Sequence, residues 1–262
     1  MIHIPDKIKR IIEKENYSTD NIGLSESTVL IFEDKVLKIQ DVKEETENEH
    51  LMMQWLYGKL PIPEIIAYEK EEEKAYLLMS RIKGDMACDD FYMNQPELLV
   101  ELLAKAIHML WDVDISDCPS VINLDKKLEM ARYRVEHDLV DVDNVQPDTF
   151  GEGGFKNPQE LLEWLIENKP EEDLVLSHGD FCLPNVLFKE EQISGFIDLG
   201  QICIADRYQD IAICYRSLLN NFNGVYGGAL REGLDTDKFF EKLGIKPDWE
   251  KIRYYILLDE LF

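Results

Sequence analysis

Cysteine is scarce and scattered in this chain of 262 residues, and its pattern excludes the cysteine-based classes of site. There are five cysteines, an odd number, with no CxxC pair and no zinc-ligand spacing. We therefore expect reduced thiols in a reducing compartment rather than a disulfide framework. Cys182 has no base beside it in the sequence, so we interpret it as a structural thiol and not as a nucleophile.

Long apolar runs and positive charge are also in short supply. No segment approaches the ~18 apolar residues of a membrane span, and the first 17 residues lack the apolar stretch of a secretory signal. The chain has 28 Lys and Arg against 53 Asp and Glu, a net charge of −25, whereas nucleic-acid binding requires a basic footprint. We expect a cytoplasmic monomer or weak dimer that binds neither nucleic acid nor membrane. The acids are compatible with a small polycationic partner, and equally with general solubility.

Two regions of different periodicity follow one another along the chain. Short β-type runs prevail in residues 1–79, whereas after Pro96 apolar residues recur at helical spacing, as in ELLVELLAKAIHML. We predict an α+β, bilobal fold: a β-rich N-terminal lobe (1–79), a hinge (80–85) and a mainly helical C-terminal lobe (86–262).

The most informative segment is LVLSHGDFCLPNVLFKEEQISGFIDLG, residues 174–200. An apolar run leads to a loop with His178 and Asp180, Asn185 follows, and a predicted hairpin ends at Asp198. Kinase-type phosphoryl transfer needs such a set: one carboxylate orients the acceptor hydroxyl or accepts its proton, and an amide oxygen and a second carboxylate hold the metal. The segment therefore predicts a phosphoryl-transfer site.

These motifs resemble the catalytic loop and metal-binding segment of the aminoglycoside phosphotransferase family, and above all its 3′-phosphotransferases (kanamycin kinases), within the protein-kinase-like fold. The shared patterns are His-Gly-Asp, four residues and Asn (178–185), and Phe-Ile-Asp-Leu-Gly (196–200). Gly179 stands where protein kinases have Arg, which favours a small-molecule substrate. The resemblance implies ATP or GTP as donor, Mg²⁺, and transfer of the γ-phosphoryl group to an aminoglycoside hydroxyl, expected at the 3′ position, which gives antibiotic resistance. It assigns catalysis to Asp180 and the metal to Asn185 and Asp198. It also implies that the lobe 1–79 binds the nucleotide and that the lobe 86–262 serves catalysis and substrate binding.

Lys38 lies in a strand-like run, where alternation directs it to the face opposite Leu37 and Ile39. A lysine there either extends to water or meets a fixed anion. The resemblance implies the second, namely the kinase lysine that meets the nucleotide phosphates. Its implied partner is Glu49 on the following helix, with Glu45, one turn earlier, as the alternative.

The resemblance also assigns residues around the nucleotide and the loop. Ser25, in a short loop with a single glycine, matches the serine that meets the β-phosphate; without the family, a simple hairpin turn is an equal interpretation. Backbone groups of Ser80 and Ile82 are expected to meet the adenine. His178 and Asp210 are expected to brace the catalytic loop.

Two acidic segments, one in the middle of the chain and one at the C-terminus, are candidates for substrate binding. Residues 138–154 contain acids and no basic residue, which by itself indicates a solvated connector, whereas in the family the matching loop lines the antibiotic site. At the C-terminus the resemblance implies that side chains and the terminal carboxylate enter the substrate pocket, although a terminal helix that only packs is the competing interpretation. The candidate substrate residues are Asp148, Glu152, Arg216, Glu260 and Phe262.

Several positions depart from the family pattern. Gln201 and Cys203 replace the usual Arg and Gly after the metal segment, and Asn220 and Asn221 stand where relatives often carry acids. A Gly-rich, insertion-like stretch follows at 223–232. The nearest alternative is therefore a kinase of another cationic or sugar-like metabolite, similar to the choline and fructosamine kinases. A nucleotide-binding pseudokinase is disfavoured because none of the phosphate and metal residues is missing.

Overall fold

Antiparallel strands prevail in the first third of the chain and helices in the rest, which confirms the predicted α+β class. The computed structural model describes residues 2–13, 15–20 and 27–262. The strands are β1 (Ser18–Asp20), β2 (Thr28–Ile31), β3 (Lys35–Asp41), β4 (Ile65–Glu71), β5 (Lys74–Ser80), β6 (Asp85–Met86), β7 (Leu174–Ser177), β8 (Val186–Lys189), β9 (Gln192–Phe196) and β10 (Cys203–Asp206). The helices are α1 (Asp6–Ile11), α2 (Glu44–Leu56), α3 (Asp90–Met93), α4 (Pro96–Trp111), α5 (Leu124–Glu136), α6 (Pro158–Glu167), α7 (Arg207–Phe222), α8 (Thr236–Leu243) and α9 (Trp249–Asp259).

Backbone contacts divide the chain into two compact units. The first unit comprises Met1–Ala87 and Pro184–Ile202, and the second comprises Cys88–Leu183 and Cys203–Phe262. The lobes expected from the sequence, with limits at 79 and 85, are defined by their roles in function and stay a prediction.

A five-stranded antiparallel sheet with the order β1-β2-β3-β5-β4 forms the body of the first unit. Strand β3 buries Leu37 and Ile39 in a core that also contains Ile8 and Ile12, contributed by α1 and its C-cap. Because side chains alternate along a strand, Lys38 lies on the opposite face of the sheet. The core on one face thus fixes where Lys38 points.

The hairpin β8–β9 belongs to the first unit and pairs with the short strand β6. Gly195 in β9 allows a close approach: a Cβ at this position would lie 2.4 Å from Ile82 Cδ1 and 2.6 Å from the Pro61 carbonyl oxygen. Only glycine fits there without a shift of its neighbours. The hairpin is therefore held firmly just before it delivers Asp198.

In the second unit, helix α7 begins at the residue after the end of strand β10. Asp206 caps the helix by accepting a hydrogen bond from Tyr208 N at 2.9 Å, and its other oxygen accepts one from Lys251 Nζ on α9 at 2.8 Å. Its buried charge is therefore paired and hydrogen-bonded, as burial requires. These contacts fix the direction of α7 relative to β10 and α9. No helix in the described part of the chain is both long and apolar enough to cross a membrane.

Candidate active site

Lys38 and Glu49 form an ion pair between strand β3 and helix α2. Lys38 Nζ lies 3.1 Å from Glu49 Oε1 and 3.0 Å from Oε2. Gln40, two residues along β3 and on the same face, donates to Glu49 Oε2 at 3.0 Å. The Glu49 side chain is 2% exposed, so this carboxylate is buried with donors around it and holds the lysine in one place. Of the two carboxylates considered from the sequence, Glu49 is the one in this pair.

Asp198 completes the cluster around Lys38. Its Oδ1 lies 2.7 Å from Lys38 Nζ, and its side chain is 47% exposed. Burial alone would lower the pKa of Lys38, but the carboxylates of Glu49 and Asp198 outweigh burial and raise it. The lysine is therefore a permanent cation. Asp198 itself adopts the left-handed conformation, φ 59° and ψ 62°, which is uncommon outside glycine and is found at sites where geometry is imposed.

Asn185 lies at the open end of the same hairpin, just before β8, while Asp198 follows β9 at that end. Asn185 is 8% exposed, and its backbone carbonyl accepts a hydrogen bond from Ile197 N at 3.0 Å, so the residues before β8 and after β9 are joined. Asn48 on α2 then donates to the carbonyls of Gly200 and Ile202 at 2.9 and 3.0 Å. Helix α2 thus fixes both Glu49 and the segment that follows Asp198.

The donors offered by Asn185 and Asp198 fit a hard divalent cation. An amide oxygen and a carboxylate are ligands that Mg²⁺ accepts, and Mg²⁺ is commonly held by one or two carboxylates together with phosphate oxygens. Among the described residues, no group of three or more His, Cys, Asp and Glu side chains could hold a metal ion. The two oxygen ligands therefore suit a metal that arrives with a phosphate ligand.

The loop with Asp180 is braced by a buried carboxylate from α7. Asp210 is fully buried and accepts hydrogen bonds from His178 N at 2.8 Å, from Gly179 N at 3.0 Å and from the Ser177 hydroxyl at 3.0 Å. Burial raises the pKa of Asp210, while these donors favour its ionised form. Gly179 has a φ of 85°, so a residue with a side chain would be strained there. These bonds fix the backbone directly before Asp180 and so position that residue.

The expected nucleotide contacts at Ser80 and Ile82 lie at and beyond the end of β5. The amide of Ser80 already donates to Glu64 O at 2.8 Å, and the Ser80 hydroxyl accepts from Glu64 N at 2.8 Å. The Ile82 side chain lies against Gly195, which ties this segment to the hairpin that bears Asp198. Ser25 lies outside the residues that the structure describes.

Two of the candidate substrate residues come together in one cluster. Arg216 on α7 pairs with Asp259, and its Nη1 lies 3.0 Å from Glu260 Oε1. Glu260 Oε2 also accepts from Gln146 N at 2.8 Å, and its side chain is only 4% exposed, against 33% for Asp259. Glu260 thus joins the acidic loop (residues 138–154) to α7, while Asp259 is the more accessible acid.

The other candidate substrate residues are held differently. Asp148 and Glu152 are exposed on the acidic loop. The Phe262 ring lies 4.2 Å from Lys127 Nζ, and its backbone oxygen accepts from Arg134 Nη2 at 2.6 Å. Sequence reasoning missed Arg134, which also donates to Leu139 O at 2.8 Å and so joins the start of the acidic loop to the C-terminal segment. Its spacing in α5 gives no signal of this role.

The chain is similar in sequence to known phosphotransferases. The model of the phosphotransferase enzyme family matches residues 18–255. An aminoglycoside 3′-phosphotransferase from Enterococcus faecalis is 41% identical, over 100% of this chain and 99% of that protein. One from Escherichia coli is 30% identical, over 94% of this chain and 90% of its own.

Solved structures show the same fold. A crystal structure of an aminoglycoside-3′-phosphotransferase of type VIII has a TM-score of 0.82 at 23% identity and covers 98% of this chain and 97% of its own. The aminoglycoside phosphotransferase APH(3″)-Id from Streptomyces rimosus, in complex with ADP and streptomycin, has a TM-score of 0.77 at 22% identity and covers 97% and 95%. At these identities the likeness concerns the fold, which is protein-kinase-like. The sequence matches, together with the shared fold, show that this chain belongs to the aminoglycoside 3′-phosphotransferase family.

Proposed function

We propose that the chain transfers the γ-phosphoryl group of ATP or GTP to a hydroxyl group of an aminoglycoside antibiotic, with the 3′-hydroxyl as the expected acceptor. The observation that carries the transfer chemistry is the contact of Lys38 Nζ with both Glu49 and Asp198. A buried, fixed cation beside an accessible carboxylate suits a nucleotide phosphate and its metal. The acceptor is proposed from the curated relatives, which are named aminoglycoside 3′-phosphotransferases.

Each residue around the phosphates has a distinct task in this proposal. Lys38 meets the phosphate oxygens of the donor, and Glu49 and Gln40 keep its ammonium group in place. Ser25 and the backbone of Ser80 and Ile82 are proposed to bind the nucleotide as well. The donor itself is inferred by analogy, since the solved relative APH(3″)-Id was obtained with ADP.

Asn185 and Asp198 are the residues that would hold Mg²⁺. A bound magnesium ion would neutralise charge on the phosphate oxygens. The accessible Asp198 carboxylate supplies the charged ligand, and the buried Asn185 supplies an oxygen whose position the hairpin fixes. The left-handed backbone of Asp198 is in keeping with a side chain whose direction is imposed.

Asp180 is proposed to orient the acceptor hydroxyl and to take up its proton. Phosphoryl transfer of this kind has a loose transition state, so positioning and charge neutralisation supply most of the rate. The bonds from the loop to Asp210 therefore matter as much as the basicity of Asp180. A cytoplasmic location, where nucleoside triphosphates are present, is part of the proposal.

The acidic side chains of the second unit are proposed to bind the ammonium groups of the aminoglycoside. Asp259 and the acidic-loop residues Asp148 and Glu152 are accessible. Glu260 contributes negative charge from a buried position, and Arg216 and the Phe262 segment position these acids. Asp259 is added to the residues expected from the sequence because it is more exposed than Glu260.

In a coupled assay that measures nucleotide consumption, the wild-type protein should turn over in the presence of aminoglycosides and not of choline-like amines. Asp180→Ala should lower kcat at least ~100-fold, because it removes a positioned general base, and should leave nucleotide affinity unchanged. Glu171→Ala, which removes an exposed acid, is the matched control and should keep wild-type kcat. Turnover of choline-like amines alone, or wild-type kcat in Asp180→Ala, would contradict the proposal.

Asp198→Ala should abolish both the Mg²⁺ dependence of nucleotide binding and the activity, because a charged metal ligand is lost. Asn185→Ala should shift the Mg²⁺ titration in the same direction by a smaller amount. The measurement is nucleotide affinity by calorimetry over a series of Mg²⁺ concentrations. Titration curves that match the wild type in both variants would rule out this metal site.

Glu260→Gln keeps the volume of the side chain and its acceptor for Gln146 N but removes the charge. If that charge attracts the substrate from its buried position, the aminoglycoside KM should rise roughly tenfold, a loss of about 1.4 kcal/mol in binding, and the rise should shrink with salt. The control is Glu250→Gln on the exposed side of α9, which should leave KM unchanged.

The pH dependence of KM provides the second readout for Glu260. Burial raises the pKa of Glu260, so the carboxyl group takes up its proton at a higher pH than an ordinary glutamate. As the pH falls through that raised pKa, the attraction is lost and the wild-type KM should rise, whereas Glu260→Gln should lack this rise. An unchanged KM and pH profile in Glu260→Gln would make Glu260 a brace for the acidic loop and nothing more.

A further inference from the structure

The segment that joins α7 to α8 carries exposed apolar side chains that the proposed chemistry does not use. This joining loop, residues 223–235, contains Val225, Tyr226 and Leu230, which are 61%, 62% and 75% exposed. Gly224 and Gly227 adopt positive φ angles of 69° and 83°, so the backbone turns tightly on either side of Tyr226. Exposed apolar residues are ordinary on protein surfaces, but the Tyr226 side chain differs from the other two because a hydrogen bond holds it.

The joining loop is bound to the helices of the second unit near both its ends. Val225 N donates to Asn220 O at 3.0 Å, and Arg231 N donates to Phe222 O at 2.8 Å. The Arg231 side chain also donates to Asn94 Oδ1 at 2.8 Å. The loop therefore has a defined path along the end of α7.

Tyr226 is held at one end of its side chain and open at its ring. Asn220, which is 8% exposed, donates from Nδ2 to the Tyr226 hydroxyl oxygen at 3.2 Å. Asn220 follows Arg216 by one turn of α7, so both lie on one face of the helix. Arg216 in turn holds Asp259 and Glu260. The tyrosine hydroxyl is thus held one helical turn from the arginine that binds the acids proposed to attract ammonium groups.

Helix α7 also connects this ring to the catalytic loop. Ser217 Oγ accepts a hydrogen bond from Leu183 N at 3.0 Å, and Asp210 holds the amides of His178 and Gly179. From Asp210 to Asn220 the helix rises by roughly 15 Å. The α7 residues that hold the catalytic loop, the acids and Tyr226 are Asp210, Arg216 and Asn220, in that order along the helix. The distance they span suits a molecule of several linked rings.

We propose that Tyr226 is a specificity-determining residue that stacks on a ring of the polycationic amino-sugar substrate, next to the acids that attract its ammonium groups. This inference rests on the proposed function and names how that substrate is selected. The ring face of tyrosine attracts a cation placed within about 6 Å of its centre. Because its hydroxyl group is already held, the ring loses little conformational freedom when a ligand covers it.

The test compares Tyr226→Ala, Tyr226→Phe and the neighbouring control Val225→Ala over a panel of aminoglycosides. Tyr226→Ala should raise the aminoglycoside KM about five- to tenfold, the size of a cation–π contact, while kcat and the nucleotide KM stay unchanged. Tyr226→Phe keeps the ring and should stay within about twofold of the wild type, as should Val225→Ala, since neither removes the contact. Melting temperatures of all variants are measured alongside.

The proposal is overturned if Tyr226→Ala leaves KM within about twofold of the wild type for every aminoglycoside accepted, because the contact would then contribute nothing. It is equally overturned if Val225→Ala or Tyr226→Phe matches Tyr226→Ala, or if Tyr226→Ala lowers the melting temperature and raises the nucleotide KM as well, which would make the ring structural. A wild-type protein that phosphorylates no aminoglycoside would overturn the proposed function together with this inference. A wild-type protein that is active on aminoglycosides, with Tyr226→Ala unaffected, would overturn this inference alone.

Discussion

The second unit is organised around the buried carboxylate of Asp210. A charge without access to water is tolerated only when hydrogen bonds replace its hydration, and here the donors are the amides of His178 and Gly179 and the hydroxyl group of Ser177. These groups belong to the end of β7 and the loop that bears Asp180. The need to satisfy one buried acid therefore fixes the catalytic loop on helix α7.

The first unit also contains a buried carboxylate, Glu49, and here the partner is a cation. Strand β3 has one face in the apolar core, so Lys38 is directed to the other face, where the buried Glu49 carboxylate needs a counter-charge. Helix α2 supplies that carboxylate and, through Asn48, also binds the segment after Asp198. The lysine and the carboxylate proposed for phosphate and metal are therefore positioned by the same helix. In both units the side chains that are proposed to take part in the reaction are held by neighbouring residues that have no proposed role in it.

Local patterns allowed much of this to be predicted from the sequence. Alternation in β3 predicted the direction of Lys38, and the helical spacing of apolar residues after Pro96 predicted the helix α4, which begins at that residue. What the sequence did not indicate depends on contacts between distant residues. The bonds from Arg134 to Phe262 and from Gln146 to Glu260 span more than 110 residues, and the pairing of β6 with β8 joins strands about as far apart. Periodicity carries no signal of such contacts.

The central claim is that Asp210 acts on the reaction by positioning the loop that bears Asp180, and a double-mutant cycle tests it most directly. Asp210→Asn keeps the volume of the side chain but replaces one acceptor oxygen with a donor. We expect it to lower kcat about tenfold or more in the wild type, with nucleotide affinity unchanged. In an Asp180→Ala background, single-turnover rates should fall no further, because coupled residues are not additive. Effects that multiply in the double variant would contradict the account.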